Sequence, residues 1–474
     1  MTTIAGENPM TADVSHRPHR HRLFAASAAA CSIALLAGGA AGQSEPSAAV
    51  PPAATPSEPT APAASATESA PPIDPKLTFD PQHYGTDFTP SENPTSPYVE
   101  MEEIGIDHQP MIAHPAIDGI FEALASPFDK LYAETGLRIR FAFTTVFQQA
   151  SAGPGDRDGW AGDLDLMSDW TLVGRGTKNT GRLIITGEYR FKMFTDITPN
   201  ALGPEIGSLQ RTTGGFNDRG WALRDFHWVQ RLFEDKLRVL VGRSDVSDYV
   251  GGHRLQSINN SFSNRNFSAD STTAFPAGHV LSAGVSIRPV EWFYATIGGA
   301  NANGTSTEND MQYLDEGEFF TFGEFGLTPT IENLGWGRYA VLFWHMDERE
   351  ELGLPSDWGI TVVAEQDLGE KLQAFARYGW GDTGDLTGIK WSAQIGMGYR
   401  GLLGSPFNLT GAAFGISDPT ADGLSEEKVV EVFHRFQLTQ HQQFSVGIQG
   451  IFDPSNAPED DALAVLTVRY RVTF

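Results

Sequence analysis

Apolar and polar residues alternate, segment after segment, through most of this chain. Residues 137–143 place apolar side chains at odd positions and Arg138 and Arg140 between them. Residues 466–474 repeat the pattern, with Arg469 and Arg471 on the polar side. A period of two is typical of β-strands that have one apolar and one polar face. The sequence therefore predicts an all-β fold.

Two all-β architectures fit this alternation: a soluble sandwich, and a barrel that crosses a bilayer. The apolar stretches are about 9–11 residues long, which is the length a tilted strand needs to cross a membrane. Aromatic residues also lie near the predicted strand ends, where the girdles of membrane barrels are found. They are Trp170, Tyr189, Trp292, Tyr294, Trp344, Tyr378, Trp380 and Tyr399.

Both observations favour a transmembrane antiparallel β-barrel. Residues 134–474 allow about 16–18 strands, at roughly 20 residues for each strand and its connection. A barrel of that size encloses water, so a polar inner face is expected. After the leader, no uninterrupted apolar run is long enough for a membrane-spanning helix.

The first 42 residues resemble a secretion signal. A basic region is followed by the apolar residues 23–37 and by the small residues 39–42, which suit cleavage by signal peptidase. The basic residues are Arg17, Arg20 and Arg22. A membrane anchor is the alternative, but the apolar run is short and rich in alanine. We therefore predict a cleaved signal peptide over residues 1–42.

The single cysteine, Cys31, lies within the apolar run of the leader. A lipoprotein would be cleaved before it, but the leucine usual three positions earlier is missing and an apolar stretch would remain. Removal of residues 1–42 takes away three arginines and two acidic residues, and the net charge changes from −26 to −27. The exported chain is then strongly acidic and free of thiols, which excludes a disulfide framework.

Residues 43–115 are predicted to be a Pro/Ala-rich, disordered periplasmic linker, because prolines recur among alanine, serine and threonine. Residues 116–135 are predicted to be a short helical lead-in to the barrel of residues 136–474. The apolar residues at helical spacing are Ile117, Ile120, Phe121, Leu124 and Leu131.

Composition and motifs exclude several functions. The acidic balance argues against nucleic-acid binding, which needs a basic face. Gly-x-Ser-x-Gly, His-Glu-x-x-His and P-loop motifs are missing, so we predict no catalytic residue, no metal and no cofactor. Acidic residues in a Gly-rich stretch faintly suggest a calcium loop, but their spacing favours a solvated connection. They are Asp156, Asp158, Asp163 and Asp165.

Several segments within residues 222–301 and 358–474 match one family pattern. They are residues 223–230, 236–243, 363–366, 375–379, 431–433 and 448–454, with Asp245, Asp248, Tyr249, Asn264, Phe267, Phe275 and Pro276. Together they resemble the carbohydrate-selective porin (OprB-like) family of bacterial outer membranes. Asp225 and His434 depart from the pattern, which has Glu and Tyr there, and residues 299–337 are hard to place.

The resemblance implies an outer-membrane porin that passes small carbohydrates by passive, sugar-preferring diffusion. The aromatic C-terminal Phe474 resembles the signal by which outer-membrane barrels are recognised, so the barrel-assembly machinery is an expected partner. Outer-membrane lipids are expected to surround a monomer or a homotrimer. The remaining alternatives are an exported sugar-binding β-protein without a pore, such as a lectin-like sandwich, and an outer-membrane enzyme such as a lipase.

The alternation also predicts which polar side chains face the water of the pore. They are Arg138, Arg140, Glu188, Arg190, Lys192, Arg238, Glu365, Arg400, Glu431, Arg435, Gln449, Arg469 and Arg471. These side chains can exchange hydrogen bonds with the hydroxyl groups of sugars. Because the set carries both positive and negative charges, it disfavours selectivity for ions of one sign. Any one of them could equally be a solvated or ion-paired residue without a role in selection.

Residues 249–278 form a long predicted loop rich in asparagine, and loops of this length are usually functional. We expect it to fold into the barrel and narrow it, although an external loop without effect on the pore is the simpler alternative. The candidate constriction residues are Arg254, Asn259, Asn260, Asn264, Arg265 and Asn266.

Overall fold

A computed structural model describes residues 93–474, except residues 107, 113, 277 and 309 and the side chain of Asp310. The predicted signal peptide and the linker up to residue 92 lie outside the described residues. Within them, no helix is both long and apolar enough to cross a membrane.

The described chain forms one large antiparallel sheet that closes on itself. Its strands are β1 (Leu137–Ala150), β2 (Asp158–Val173), β3 (Gly181–Lys192), β4 (Gly220–Leu232), β5 (Leu237–Ser244), β6 (Val280–Val290), β7 (Phe293–Asn301), β8 (Phe319–Leu327), β9 (Thr330–Ile331), β10 (Gly335–Met346), β11 (Asp357–Leu368), β12 (Leu372–Gly381), β13 (Ile389–Arg400), β14 (Leu409–Pro419), β15 (Glu427–Gln437), β16 (Gln442–Phe452) and β17 (Ala462–Thr473).

Sixteen of these strands build the barrel, and the two-residue β9 pairs only with β10. Each barrel strand is antiparallel to its neighbours, and β1 pairs with β17 to close the ring. Closure leaves no unpaired edge, which is the condition for strands in lipid. The predicted fold class and a strand number within 16–18 are confirmed.

The helices are α1 (Pro97–Ile104), α2 (Pro115–Thr135), α3 (Pro199–Glu205) and α4 (Arg265–Ser268), with 3-10 turns at Val246–Asp248, Asp310–Tyr313 and Glu350–Leu352. Helix α2 lies where the sequence predicts a helix over 116–135. Helix α1, by contrast, lies within the predicted linker of residues 43–115. It is short, and its buried side chains include Glu100 and Glu103, so it leaves no apolar periodicity in the sequence.

The two ends of the barrel have different connections. At the end where Phe474 lies, the strands are joined by short turns such as residues 233–236 and 369–371. At the opposite end, longer connections cover residues 193–219, 245–279 and 302–318. This asymmetry between short turns and long loops is typical of outer-membrane barrels.

Burial along the strands is the reverse of that in a soluble protein. Val432 and Ile448 are 43% and 53% exposed, whereas their neighbours Glu431 and Gln449 are 1% and 0% exposed. Exposed apolar side chains on the outside suit lipid, and buried polar side chains line the interior. The barrel therefore has the polarity of a membrane protein.

Two of the aromatic residues that the sequence places near the girdles lie inside the barrel instead. Tyr294 and Trp344 are buried, and the Tyr294 hydroxyl donates to Glu324 Oε1 at 2.6 Å. The cause is strand parity, because in β7 Tyr294 shares the buried face with Thr296 whereas Ile297 is exposed.

Asp163 and Asp165 do not lie in a solvated connection, as the sequence suggested, but in β2. Their side chains are buried, while Leu164 and Leu166 between and beside them are exposed on the outer face. The outward leucines fix the alternation, so both carboxylates point to the interior.

Candidate functional site

The connection between β5 and β6, residues 245–279, is called here the inner loop. It folds back against the buried face of the strands, where Phe262 and Phe267 are fully buried. The two rings pack 5.4 Å apart, and Phe262 also packs on Phe375 of β12 and Phe433 of β15. The loop therefore has an apolar core of its own inside the barrel.

Carboxylates of the wall accept hydrogen bonds from the backbone of the inner loop. Glu431 accepts from the backbone N–H groups of Ser263 and Asn264, both at 2.8 Å. The Asn264 side chain donates to Gln449 Oε1 at 2.9 Å and also caps helix α4. The predicted lumen residues Glu431 and Gln449 and the predicted loop residue Asn264 thus lie together.

Arginines of the wall donate to carbonyl groups of the same loop. Arg435 donates to the Asn260 carbonyl at 3.2 Å, and Arg469 donates to the Ser261 carbonyl at 2.8 Å. Arg377, which the sequence analysis did not select, donates to the Asn266 carbonyl at 3.0 Å. These bonds use backbone groups of the loop, so they depend little on its side chains.

Arg254 is the loop residue with the most extensive ionic contacts to the wall. Its side chain meets Glu365 at 3.2 Å and Asp367 at 2.7 Å, and its guanidinium lies 4.4 Å above the Trp336 ring. Glu365 also pairs with Arg338 at 2.8 Å. Two arginines therefore share one buried carboxylate of β11.

Histidine in the loop core is neutral rather than cationic. Burial, reinforced by the nearby charge of Arg377, holds the pKa of His253 well below its usual value. The ring stacks on Phe375 with centroids 3.8 Å apart, and Nε2 lies 3.0 Å from the Phe267 carbonyl. His253 thus contributes to the packing of the inner loop.

The remaining loop candidates face other partners. Asn266 accepts from Gln394 Nε2 at 2.8 Å, and the Arg265 backbone N–H donates to the Arg211 carbonyl at 2.9 Å. Asn259 and Asn260 point away from the wall, towards the segment described next.

Residues 93–106, called here the lumenal segment, also lie inside the barrel. Its helix α1 carries Glu100, Glu102 and Glu103, which meet Arg471, Arg138 and Arg435 of the wall, the last pair at 3.5 Å. On its other side, Asn259 and Asn260 of the inner loop donate to Glu100 at 3.3 Å and to Glu103 at 2.7 Å.

A second connection, residues 193–219, reaches the same interior from the long-loop end. Glu427 of β15 accepts from the backbone N–H groups of Leu209 at 2.6 Å and Gln210 at 3.1 Å. Gln449 Nε2 donates to the Thr212 carbonyl at 2.8 Å. The sequence analysis missed this connection, because its glycines and threonines carry no charge or apolar pattern that would mark it.

Three buried carboxylates, those of Asp163, Asp165 and Glu188, lie with oxygens within 4.8 Å of one another. Such a set has the chemistry to hold a hard cation. Arg190 already pairs with Asp163 at 2.9 Å and with Glu188 at 2.5 Å, and Arg219 pairs with Glu188. The cluster therefore carries much of its own counter-charge.

Four of the predicted lumen residues lie nearer the ends of their strands. Arg140 pairs with Asp129 of α2 at 3.1 Å, and Lys192 is exposed, with Nζ donating to the Asp196 carbonyl at 2.8 Å. Arg400 is half-buried at the end of β13. The structure thus brings these three to the rim rather than to the inner loop. The fourth, Arg238, belongs to a cavity.

This cavity has a volume of ≈ 50 Å³ and lies along β4–β7, beside the inner loop. Its polar lining is formed by Arg238, Ser244, Tyr249, Ser282, Ser286 and Thr296. Val246 and Tyr249 of the inner loop also line the cavity, together with the apolar side chains of Val229, Leu240 and Phe322.

Residues 171–474 match the model of one protein family, described as the carbohydrate-selective porin, OprB family. The match covers more than half of the chain. The chain belongs to the OprB family.

The OprB fold is also seen in solved structures. The chain is similar to the high-pH structure of Pseudomonas putida OprB, with a TM-score of 0.61, 15% identity, and coverage of 74% of this chain and 97% of that one. The low-pH structure of the same protein gives a TM-score of 0.46 at 14% identity, again covering 74% and 97%. A mutant of Rh. blastica porin gives 0.41 at 13% identity, covering 71% and 100%. A search of curated proteins gives no match.

The family match indicates the kind of activity. The chain is a sugar-preferring porin of the outer membrane.

The sequence analysis missed some lumen residues because of local irregularity. The register between β3 and β4 shifts at Thr186, so Arg224 is an extra residue in β4. Arg224 and Asp225 are consequently both buried, although they are neighbours in sequence. Strict alternation cannot place such a pair. Arg377 follows the alternation, and its position within the family-like segment 375–379 could have revealed it.

Proposed function

We propose that small carbohydrates cross this OprB-family porin by passive diffusion along the cavity beside β4–β7. The observation that carries the proposal is this cavity, which is lined by Arg238, Tyr249, Ser282 and Thr296.

The lining suits the chemistry of sugars. Hydroxyl groups of Ser282 and Thr296 and the guanidinium of Arg238 exchange hydrogen bonds with sugar hydroxyls, while Tyr249 and Phe322 offer aromatic faces to the apolar side of the ring. Neutral groups dominate, so each contact is weak. Weak contacts are what permeation needs, because a tightly bound solute does not leave.

The other predicted lumen residues act as the polar wall of the path. Basic residues outnumber carboxylates among them, and several are paired with each other or with the inner loop. A wall of paired charges discriminates little between cations and anions. The inner loop, through Arg254, Asn259, Asn260, Asn264, Arg265 and Asn266, serves as the constriction.

The proposal includes the route of the chain to its membrane. A signal peptide over residues 1–42 directs export and is cleaved, and Phe474 addresses the barrel to the assembly machinery. The short-turn end then faces the periplasm, as in other outer-membrane barrels. Replacement of Phe474 by serine is expected to lower the amount of heat-modifiable barrel in the outer membrane, and an unchanged amount would contradict this role.

Single-channel conductance in a planar bilayer tests the proposal. We expect conductance steps that glucose blocks in a saturable way, with longer glucans blocking at lower concentration. A bulky residue in the cavity, Ser286→Trp, should reduce both the conductance and the block. Its control is Val285→Trp, the adjacent residue, whose side chain is exposed on the outer face.

The outcomes separate the claims. Steps that sugar does not block would contradict the sugar path while leaving a pore. Equal effects of Ser286→Trp and Val285→Trp would contradict the position of the path along the cavity. No steps from a folded, heat-modifiable barrel would contradict the channel itself.

A further inference from the structure

The lumenal segment, residues 93–106, is joined to the wall by opposite charges. Helix α1 contains three glutamates and no basic residue. Arg471 donates to Glu100, Arg138 donates to Glu102, and Arg435 lies 3.5 Å from Glu103. A short acidic helix thus occupies a ring of arginines.

These contacts are shielded from water. Glu100 and Glu103 are 3% and 6% exposed, and Met101 between them is 0% exposed. Met101 packs against Ala142 of β1 and Met167 of β2. Buried carboxylates are tolerated only when they are paired, so the arginines hold the helix in place.

The segment fills a part of the lumen that the inner loop leaves open. The loop contacts β8 and β10–β17 through bonds such as those of Glu324, Arg338 and Arg469. The segment contacts the wall from β1 to β4, through Arg138 and Arg224, and it also meets Arg435 and Arg471 of β15 and β17. Both lie inside the barrel, and the cavity along β4–β7 is bordered by Val246 and Tyr249 of the loop.

Nothing in the barrel depends on the segment for closure, because strand pairing runs directly from β17 to β1. The helix has eight residues, which is too short to be stable without its contacts. The strand pairing of the barrel is therefore complete without the segment.

We propose that residues 93–106 form a displaceable plug that narrows the sugar path. The plug and a sugar that enters this part of the lumen compete for Arg138, Arg435 and Arg471, which lie outside the lining of the cavity, since carboxylates and hydroxyl groups both accept hydrogen bonds from guanidinium. When the segment leaves, Arg138, Arg435 and Arg471 become accessible to water and solute, and the pore widens. The proposal rests on the sugar path proposed above.

A reversible tether tests this plug in the full chain. Met101→Cys and Met167→Cys place two thiols in one buried cluster, with Cys31→Ser added where the leader is retained. Under oxidising conditions the disulfide fixes α1 to β2, and we expect only the low-conductance state. Reduction should restore transitions to a larger conductance. The single Met101→Cys variant is the control, and it should show these transitions under both conditions.

Charge variants provide a test without cysteines. Glu100→Gln with Glu103→Gln keeps the shape of the helix but removes its ionic attraction to Arg471 and Arg435. The time spent in the larger conductance should rise by about tenfold or more, as expected when buried ion pairs are lost. The matched control is Glu122→Gln with Glu134→Gln, because these glutamates of α2 are exposed.

The rate of disulfide formation measures whether sugar competes with the lumenal segment. Glucose should slow disulfide formation in the Met101→Cys, Met167→Cys protein, because sugar occupies the arginines when the segment is away. Betaine at the same osmolality should not.

The results distinguish the two proposals. If the tethered protein shows the same conductance states and glucose block before and after reduction, the plug is contradicted and the sugar path stands. A rate of disulfide formation that glucose leaves unchanged contradicts competition. If no form conducts although the barrel is folded, both proposals fail.

Discussion

The inner loop and the lumenal segment fill the same barrel but are held in opposite ways. The loop offers its backbone, and the wall supplies the charges, as where Glu431 accepts from Ser263 and Asn264. The segment offers its own charged side chains, Glu100 among them, and its apolar contact centres on Met101. The loop is therefore a fixed part of the pore, whereas the segment is a removable one.

The two share contacts with the same wall residues, and Arg435 is one of them. Arg435 donates to the Asn260 carbonyl of the loop and also lies 3.5 Å from Glu103 of the segment. Asn260 in turn donates to Glu103 at 2.7 Å. A permanent contact and a displaceable contact thus share one guanidinium, which couples the constriction to the plug.

The largest loss of stability is expected when the apolar core of the inner loop is disrupted. Phe262→Ala leaves a cavity among Phe267, Phe375 and Phe433 and should lower the free energy of unfolding by about 3–5 kcal/mol. Thermal unfolding in detergent measures it. Phe319→Ala, which changes a half-exposed ring, is the control, and equal losses for both would contradict a packed loop core.

The next largest effect is expected when the hydrogen bonds that join the backbone of the loop to the wall are removed. Glu431→Ala removes the acceptor of two buried N–H groups, each worth about 1–3 kcal/mol when unpaired. We expect lower stability, larger conductance and weaker glucose block. Glu426→Ala, in the exposed connection before β15, should change none of these. A Glu431→Ala protein with wild-type conductance and block would show that the anchor is unnecessary.

The sequence predicts the barrel well because its main determinants are local. Period-two alternation fixes which face of each strand is polar, and so the alternation alone places Glu431, Gln449 and Arg469 on the inner face. The contacts of these residues could not be predicted, since they depend on where residues 245–279 fold back. The path of the loop depends on contacts between residues that are far apart in sequence. The number of asparagines in the loop is its only local sign.

The position of the lumenal segment, unlike that of the strands, could not be predicted from local sequence signals. Its eight-residue helix buries glutamates, so it has neither an apolar stripe nor useful length. The local signals that do exist are Ser96 at the N-cap and Pro97 at the first helical position. They mark a helix start, but they do not indicate that the helix enters the barrel, because that depends on arginines far away in sequence.

A smaller effect measures the coupling between the two regions. A double-mutant cycle with Asn260→Ala and Glu103→Gln should give an interaction energy of about 0.5–3 kcal/mol, because the two side chains are in direct contact. The readout is the equilibrium between the conductance levels. Additive effects would mean that the loop and the segment act independently.

The smallest effect is expected at the rim. Lys192 is exposed and its side chain donates to the nearby Asp196 carbonyl, so Lys192→Ala should change stability by less than about 0.5 kcal/mol. Conductance and glucose block should also stay at wild-type values. A clear loss of block would extend the sugar path to the mouth of the barrel.

Swelling of proteoliposomes tests the central claim of a sugar path through this lumen most directly. We predict faster swelling of vesicles carrying the wild-type protein in isotonic glucose than in isotonic glutamine, a zwitterion of similar size, and slower swelling in glucose with Ser286→Trp. Equal rates for the two solutes, or a glucose rate no higher than that of protein-free vesicles, would contradict it.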